Sequence, residues 1–130
     1  MEQSKITELD SLYAAYRLEF EESFTVYIPK TGFANYKFEE DGIYVQEVFV
    51  TPSMRGLKLA AKLTNMCLED AIQRCDKYNK SQILNKIYTT VAVDGAETIN
   101  SSMKAILNYG FKLLKSNSEL IYFYKEISNE

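Results

Sequence analysis

The feature that most constrains this chain is a change of hydrophobic period. In "IYVQEVFV", ending at Val50, apolar residues recur at nearly every second position, the spacing of a half-buried strand. From Met54 to about Tyr78 they recur every three to four positions, the spacing of an amphipathic helix. Leu59, Leu63, Met66, Cys67, Ala71 and Ile72 fall on one helical stripe, with Lys62, Glu69, Asp70 and Arg74 mostly elsewhere. A strand must therefore feed into a long helix. The join, "VTPSMRGLKLA" from Val50 to Ala60, carries an Arg-Gly pair and a lysine. The first backbone N–H groups of a helix lack intrahelical partners and point outward, so such a turn can hold an anionic group such as a pyrophosphate.

Around this join the chain alternates between the two periods. Ile6, Leu9, Leu12, Tyr13 and Tyr16 predict a first amphipathic helix within Ile6–Phe20. "SFTVYIP", closed by Pro29, and "GFANYKF", after a Lys-Thr-Gly turn, read as two strands of a hairpin. Asp41-Gly42 is a turn signal that pairs "IYVQEVFV" with the second of them. Downstream, "QILNKIYTTVAV" returns to β character, and "GAETINSSMKAILNYG" reads as a loop and a short helix ended by Gly110. "FKLLKSNSELIYFYKEI" reads as a final hairpin around Ser116-Asn117-Ser118. Helix, three strands, helix, strand, helix and two strands predict an α/β sheet with helices packed on it. With no linker or repeat, residues 1–130 are read as a single domain.

Composition narrows the chemistry. A formal net charge of −3 argues against a general nucleic-acid binder and suits cationic small molecules or basic peptides. The chain has no histidine, which excludes a His-based triad, a His general base and a zinc site using His; no metal is expected. Cys67 and Cys75 lie eight residues apart in the helical stretch, about 12 Å along its axis. That is too far for a disulfide, and both read as small apolar helix residues. No apolar run approaches the roughly 18 residues that span a bilayer, and "MEQSKITELD" is too polar and acidic for a signal peptide. The expected location is cytoplasmic, with no membrane partner.

The strand exit Val50-Thr51-Pro52, with Arg55 opening and Ala60 closing the motif after it, resembles the signature of the GCN5-related N-acetyltransferase (GNAT) superfamily. The resemblance covers roughly Gly32 to Ile127. It implies a GNAT-like mixed, mainly antiparallel sheet with helices on both faces, and the short N-terminal region leaves the family's first strand without a clear counterpart. It also implies acetyl-CoA as acyl donor, its pyrophosphate cradled by Arg55, Gly56, Leu57, Lys58, Leu59 and Ala60 at the positive end of the central helix. Lys58 departs from the family, standing where the motif has its middle glycine. Its side chain either crowds the phosphate or turns outward and contacts it. By the same resemblance the thioester lies between the strand at Val48 to Val50 and the strand near Val91 to Val93. There the backbone N–H of Val48 or Val50 would orient the carbonyl.

"NSSMKAILNYGF" resembles a second family segment, and on it Asn100 would contact the pantetheine or adenine side of the donor. Four residues before Gly110, where the family often carries a tyrosine that protonates the departing thiolate, stands Ile106. Tyr109 is the nearest phenol and the candidate general acid; its alternative is packing one end of the helix. Glu47 is the candidate general base, the one carboxylate in its strand, and its alternative is a strand glutamate on a solvated face. "IYVQEVFVTPSMRG" also resembles polyamine and diamine acetyltransferases, in which acidic residues stand at the places of both Gln46 and Glu47. The resemblance as a whole implies acetyl transfer to a primary amine of a small cationic molecule or a protein. Its alternative is a catalytically inactive domain that binds a partner protein or coenzyme A, which Lys58 and Ile106 favour. Family members often pair through sheet edges, so a homodimer is admitted.

Overall fold

The alternating segments of the sequence build one six-stranded sheet in the order β1-β2-β3-β4-β6-β5. The structure, a computed structural model, describes residues 23–55, 58–92 and 96–127, with backbone only at 96–101. β1 (Phe24–Ile28), β2 (Gly32–Glu39) and β3 (Gly42–Val50) form the expected antiparallel meander. β4 (Lys86–Ala92) lies parallel to β3, and the hairpin β5 (Lys112–Ser116) and β6 (Leu120–Glu126) completes the sheet through an antiparallel β4–β6 pair. The final turn is held by Asn117, whose Oδ1 accepts the backbone N–H groups of Glu119 and Leu120, both at 2.8 Å. The helix expected over Ile6–Phe20 falls outside the described residues, as does any strand before it.

The central helix, α1 (Leu59–Tyr78), starts five residues later than its period suggests. Pro52–Met54 instead forms a single 3-10 turn, Arg55 is extended at φ −70° and ψ 152°, and Lys58 caps α1 in the left-handed region at φ 59°. The buried stripe of α1 runs through Leu63, Thr64, Cys67, Ala71 and Cys75. Ile72, placed on that stripe by sequence, is 42% exposed; at 100° per residue Cys75 sits closer to the line through Cys67 and Ala71. α1 lies across β1, β2 and β3, and α2 (Ala96–Tyr109) packs on β4 and touches α1. At 14 residues α2 is longer than expected. Gly110, at φ 111°, ends it in a conformation that glycine adopts without steric cost.

A polar bolt fixes α1 to the sheet. Tyr36 is fully buried on β2, its hydroxyl donates to Asp70 Oδ2 at 2.5 Å, and Arg74 Nε donates to the same oxygen at 2.8 Å. The Arg74 guanidinium lies 4.0 Å from the Phe24 ring centroid, so the same group also covers β1. Burial, and then the hydrogen bond and charge of Asp70, push the Tyr36 phenol well above its usual range. The folded state therefore keeps a proton that an unfolded tyrosine loses near pH 10. Stability contributed in this way is intact below pH 10 and falls as pH rises above it, by about 1.4 kcal/mol per pH unit for one such group. Urea unfolding between pH 9 and 11 is expected to show that slope, reduced in Tyr36→Phe.

The parallel β3–β4 pair begins where β3 has no side chain. A Cβ on Gly42 would stand 1.7 Å from the Lys86 carbonyl oxygen, so only glycine permits this approach. Gly42→Ala is expected to destabilise the fold by about 1–3 kcal/mol, through strands forced apart, read as a lower urea midpoint at unchanged m-value.

Candidate functional site

β3 and β4 pair over only four positions, Gly42 to Val45 against Lys86 to Thr89, and then separate. β3 continues to Val50 along β2, and β4 continues to Ala92 along β6. Two local features end the pairing. The β2–β3 register shifts between Asn35 and Tyr36, which makes Gln46 an extra residue in β3 and bends the strand. Thr89 Oγ1 donates to the Val45 carbonyl at 3.1 Å, so a side chain takes the acceptor where the ladder stops. A wedge-shaped opening results, with Val48 to Val50 on one arm and Thr90 to Ala92 on the other.

The Val48 and Val50 N–H groups face this opening. The Thr51 N–H donates to the Thr31 carbonyl at 2.8 Å, toward β2. Successive strand N–H groups alternate in direction, so those of Phe49 and Glu47 also face β2, and those of Val48 and Val50 face away from it. Each arm then runs toward a helix start: β3 toward α1 and β4 toward α2. At the start of α1 the Lys58 cap makes no side-chain cap hydrogen bond, and the first turn contains no acidic residue. Leu59 and Ala60 open the helix and are partly buried. Arg55 and Lys58 are both exposed beside it. Arg55 also braces the turn, donating from Nε to the Val50 carbonyl at 2.9 Å with its guanidinium 6.0 Å from the Phe49 ring centroid. The remaining guanidinium donors extend beyond this brace. Gly56 and Leu57 lie outside the described residues.

Glu47 stands on the sheet face opposite α1. Its register partner across β2 is Asn35, and Asn35 alternates with the α1-facing Tyr36. The Glu47 side chain reaches solvent, yet the protein around it desolvates the carboxyl enough to raise it above the usual range, with the Val48 N–H opposing that rise. Asn35, which sequence reasoning did not single out, is 0% exposed. Its Oδ1 accepts from Thr25 Oγ1 at 2.9 Å, and its Nδ2 has no partner among the described residues. Gln46 Oε1 is likewise buried and unpartnered. Beyond them this face carries Tyr44, Tyr88 and Tyr124 in one register row. Tyr44 and Thr90 are joined through their hydroxyls at 2.9 Å, and Tyr88 donates to Asp41.

The two remaining candidates belong to α2. Asn100 lies in its N-terminal half, with its side chain outside the described part. Tyr109 sits at its C-terminal end, where its hydroxyl donates to Asn65 Oδ1 on α1 and its ring stacks on Phe111 at 5.4 Å. Burial raises its phenol above the usual range, with the Cys67 side chain adding to the effect. This geometry makes Tyr109 a bridge between the two helices. Ile106 is packed against the core. Cys67 is fully buried and its thiol is pushed up to about 12, by burial and then by the Asp70 charge, which makes it a poor nucleophile. Among the described residues no group of three or more candidate metal ligands occurs, and no helix is long and apolar enough to cross a membrane.

Lys58 occupies the conformation that the motif's glycine would take. A non-glycine residue pays about 1–2 kcal/mol there, against roughly 0.5–1 kcal/mol lost to the greater freedom of unfolded glycine. Lys58→Gly is thus expected to raise stability by about 0.5 kcal/mol in urea unfolding, although it removes a charge from the turn.

The fold has counterparts among solved structures. PseH, an N-acetyltransferase of Campylobacter jejuni solved with acetyl coenzyme A, matches with a TM-score of 0.57 at 13% identity, over 93% of this chain and 79% of that one. Against another PseH structure the match spans 75% of this chain and 60% of the other. The PaiA N-acetyltransferase of Thermoplasma acidophilum, in complex with coenzyme A, matches at 0.58 and 12% identity, over 91% and 70% of the two chains. A GNAT-family acetyltransferase of Listeria monocytogenes matches at 0.55 and 15% identity, over 97% and 80%. No protein-family profile and no curated protein matches the chain. At these identities the likeness is one of architecture: the chain has the mixed, mainly antiparallel fold of the GNAT acetyltransferases.

Proposed function

We propose that the protein is an acyl-CoA-dependent N-acetyltransferase, acting by direct transfer to a primary amine of a small molecule or protein. The observation that carries this reading is the wedge between β3 and β4. It offers two backbone N–H donors on one arm, a helix start with Arg55 and Lys58 at its mouth and a carboxylate on the adjoining face. The α1 start, Arg55 and Lys58 suit the pyrophosphate, and Asn100 is assigned to the pantetheine or adenine side of the donor. The Val48 or Val50 N–H orients the thioester carbonyl and stabilises its developing oxyanion. Glu47, with its raised pKa, removes a proton from the ammonium. The freed lone pair attacks the carbonyl carbon, the C–S bond breaks, and the thiolate leaves with the second amine proton, relayed through water.

One observation favours a non-catalytic reading. Ile106 stands where the resembling family often has its acid, and the Tyr109 hydroxyl is engaged with Asn65. A domain that binds coenzyme A or a partner protein without turnover would need no acid. A polyamine acceptor has less support, since Gln46 is neutral and Glu47 is the one carboxylate at the bulge.

Isothermal titration with acetyl-CoA tests the donor site. Saturable binding is expected, weakened at least tenfold in Arg55→Glu and in Lys58→Glu, with folding of each checked by circular dichroism. Absence of binding by the folded wild type overturns the proposal. Where the donor binds, Glu47→Gln is expected to lower kcat by about 10²–10⁴-fold on an amine panel and leave donor affinity within twofold. Binding without turnover on any amine supports the non-catalytic reading.

A further inference from the structure

The bulge at Gln46 sets an unsatisfied donor opposite a carboxylate. Asn35 is fully buried, and its Oδ1 accepts from Thr25 Oγ1 at 2.9 Å. Its Nδ2 has no acceptor among the described residues. Buried amide donors are rarely left so, and the cost is recovered when an acceptor arrives. Glu47 is directly opposite in the β2–β3 register, and side chains so placed have Cβ atoms about 5 Å apart. That spacing puts the two side chains within reach of each other. In this structure the backbone donor that favours its ionised form is the Val48 N–H. Val48 is also one of the two donors that face the wedge. An acyl oxygen entering the wedge at Val48 would therefore arrive beside the Glu47 carboxylate.

We propose that Asn35 is the positioning residue for Glu47: when an acyl carbonyl takes the Val48 N–H, the displaced carboxylate turns to Asn35 Nδ2. This rests on the acyl-transfer reading above. One carboxylate oxygen then accepts from the amide, and the other stays free to take the ammonium proton, so that an N–H bond breaks and an O–H bond forms on Glu47. The amide also favours the ionised form, which keeps Glu47 unprotonated before the amine arrives. Donor binding thus arms the base, and the orphan Asn35 amide acquires a role.

Few other charges bear on Glu47. Among the described residues its face carries Thr25 and Tyr27 on β1, Lys37 and Glu39 on β2, Tyr44 on β3, Lys86, Tyr88 and Thr90 on β4, and Tyr122, Tyr124 and Glu126 on β6. Lys37 is paired with Glu39 at 3.8 Å, and Tyr88 with Asp41 at 2.8 Å. Arg55 approaches from the turn, over Phe49. None of the described cations makes an ion pair with Glu47.

The test is a carbon-13 NMR titration of the Glu47 carboxyl in wild type, Asn35→Leu and Thr25→Val, free and with a ketone analogue of acetyl-CoA that cannot transfer its acyl group. In the free proteins the three midpoints are expected to agree within about 0.3 pH unit. With the analogue bound, Asn35→Leu is expected to titrate about one pH unit above wild type, and Thr25→Val to move in the same direction. Where an acceptor is found, the acid limb of kcat/KM should rise by the same amount while KM for the donor is unchanged. Coincident midpoints with the analogue bound overturn the role of Asn35 and leave the acyl-transfer reading standing. Failure of the wild type to bind acetyl-CoA overturns that reading and this proposal with it.

Discussion

The short parallel contact between β3 and β4 is the constraint on which the rest of the molecule depends. It is closed tightly at one end. Gly42 lets the strands touch, and the Asp41 carbonyl accepts the backbone N–H groups of Asn85 and Lys86 at 2.8 and 3.1 Å. Gln82 Nε2 donates to the Glu39 carbonyl at 2.6 Å, and the Ile127 N–H reaches the Asn85 carbonyl at 2.8 Å, tying the end of β6 into the same clamp. Four paired positions later the strands part. A parallel pair clamped at its base and bent by a bulge at its top holds a gap open without a hinge, because β2 and β6 keep each arm in ladder. Backbone donors exposed in such a gap are preorganised, the property that electrostatic stabilisation of an oxyanion requires.

Much of this was legible in residue spacing. Two-residue alternation located β3, β-rich runs between turn signals located the other described strands, the three-to-four spacing located α1, and the stop at Gly110 located α2. The start of α1 was misplaced because Met54 carries the right hydrophobicity for a helix, whereas its backbone follows Pro52 into a 3-10 turn. Periodicity sees side chains and is blind to a left-handed residue such as Lys58. The bulge did leave a trace: apolar positions run Ile43, Val45, then Val48, Val50, a slip of one residue in an otherwise regular alternation. Asn35 left none. An asparagine in "GFANYKF" is as ordinary on a wet strand face as on a buried one, and only the register puts it opposite Glu47. Tyr109 shows the converse, since its position was plain but its hydrogen bond to Asn65 depends on how the helices cross.

Charge is distributed across the wedge in a way that net composition hides. The chain is negative overall, yet at the mouth the positive end of α1 meets Arg55 and Lys58, while the face reached past the bulge presents Glu47. On the acyl-transfer reading, an anionic donor and a cationic acceptor would meet different sides of one gap. On that same reading, opposed entry favours a ternary complex in which the amine meets the acyl carbon directly. The alternative, a covalent acyl-enzyme, needs an activated nucleophile. Cys67 is buried with its thiol pushed up to about 12, Cys75 is buried with its thiol also raised, and the chain has no histidine to activate either. The tools left to the described residues are backbone donors, two cations and one desolvated carboxylate. On the acyl-transfer reading those serve a direct transfer in a single encounter, with Glu47 as the base and the Val48 and Val50 N–H groups turned to the oxyanion.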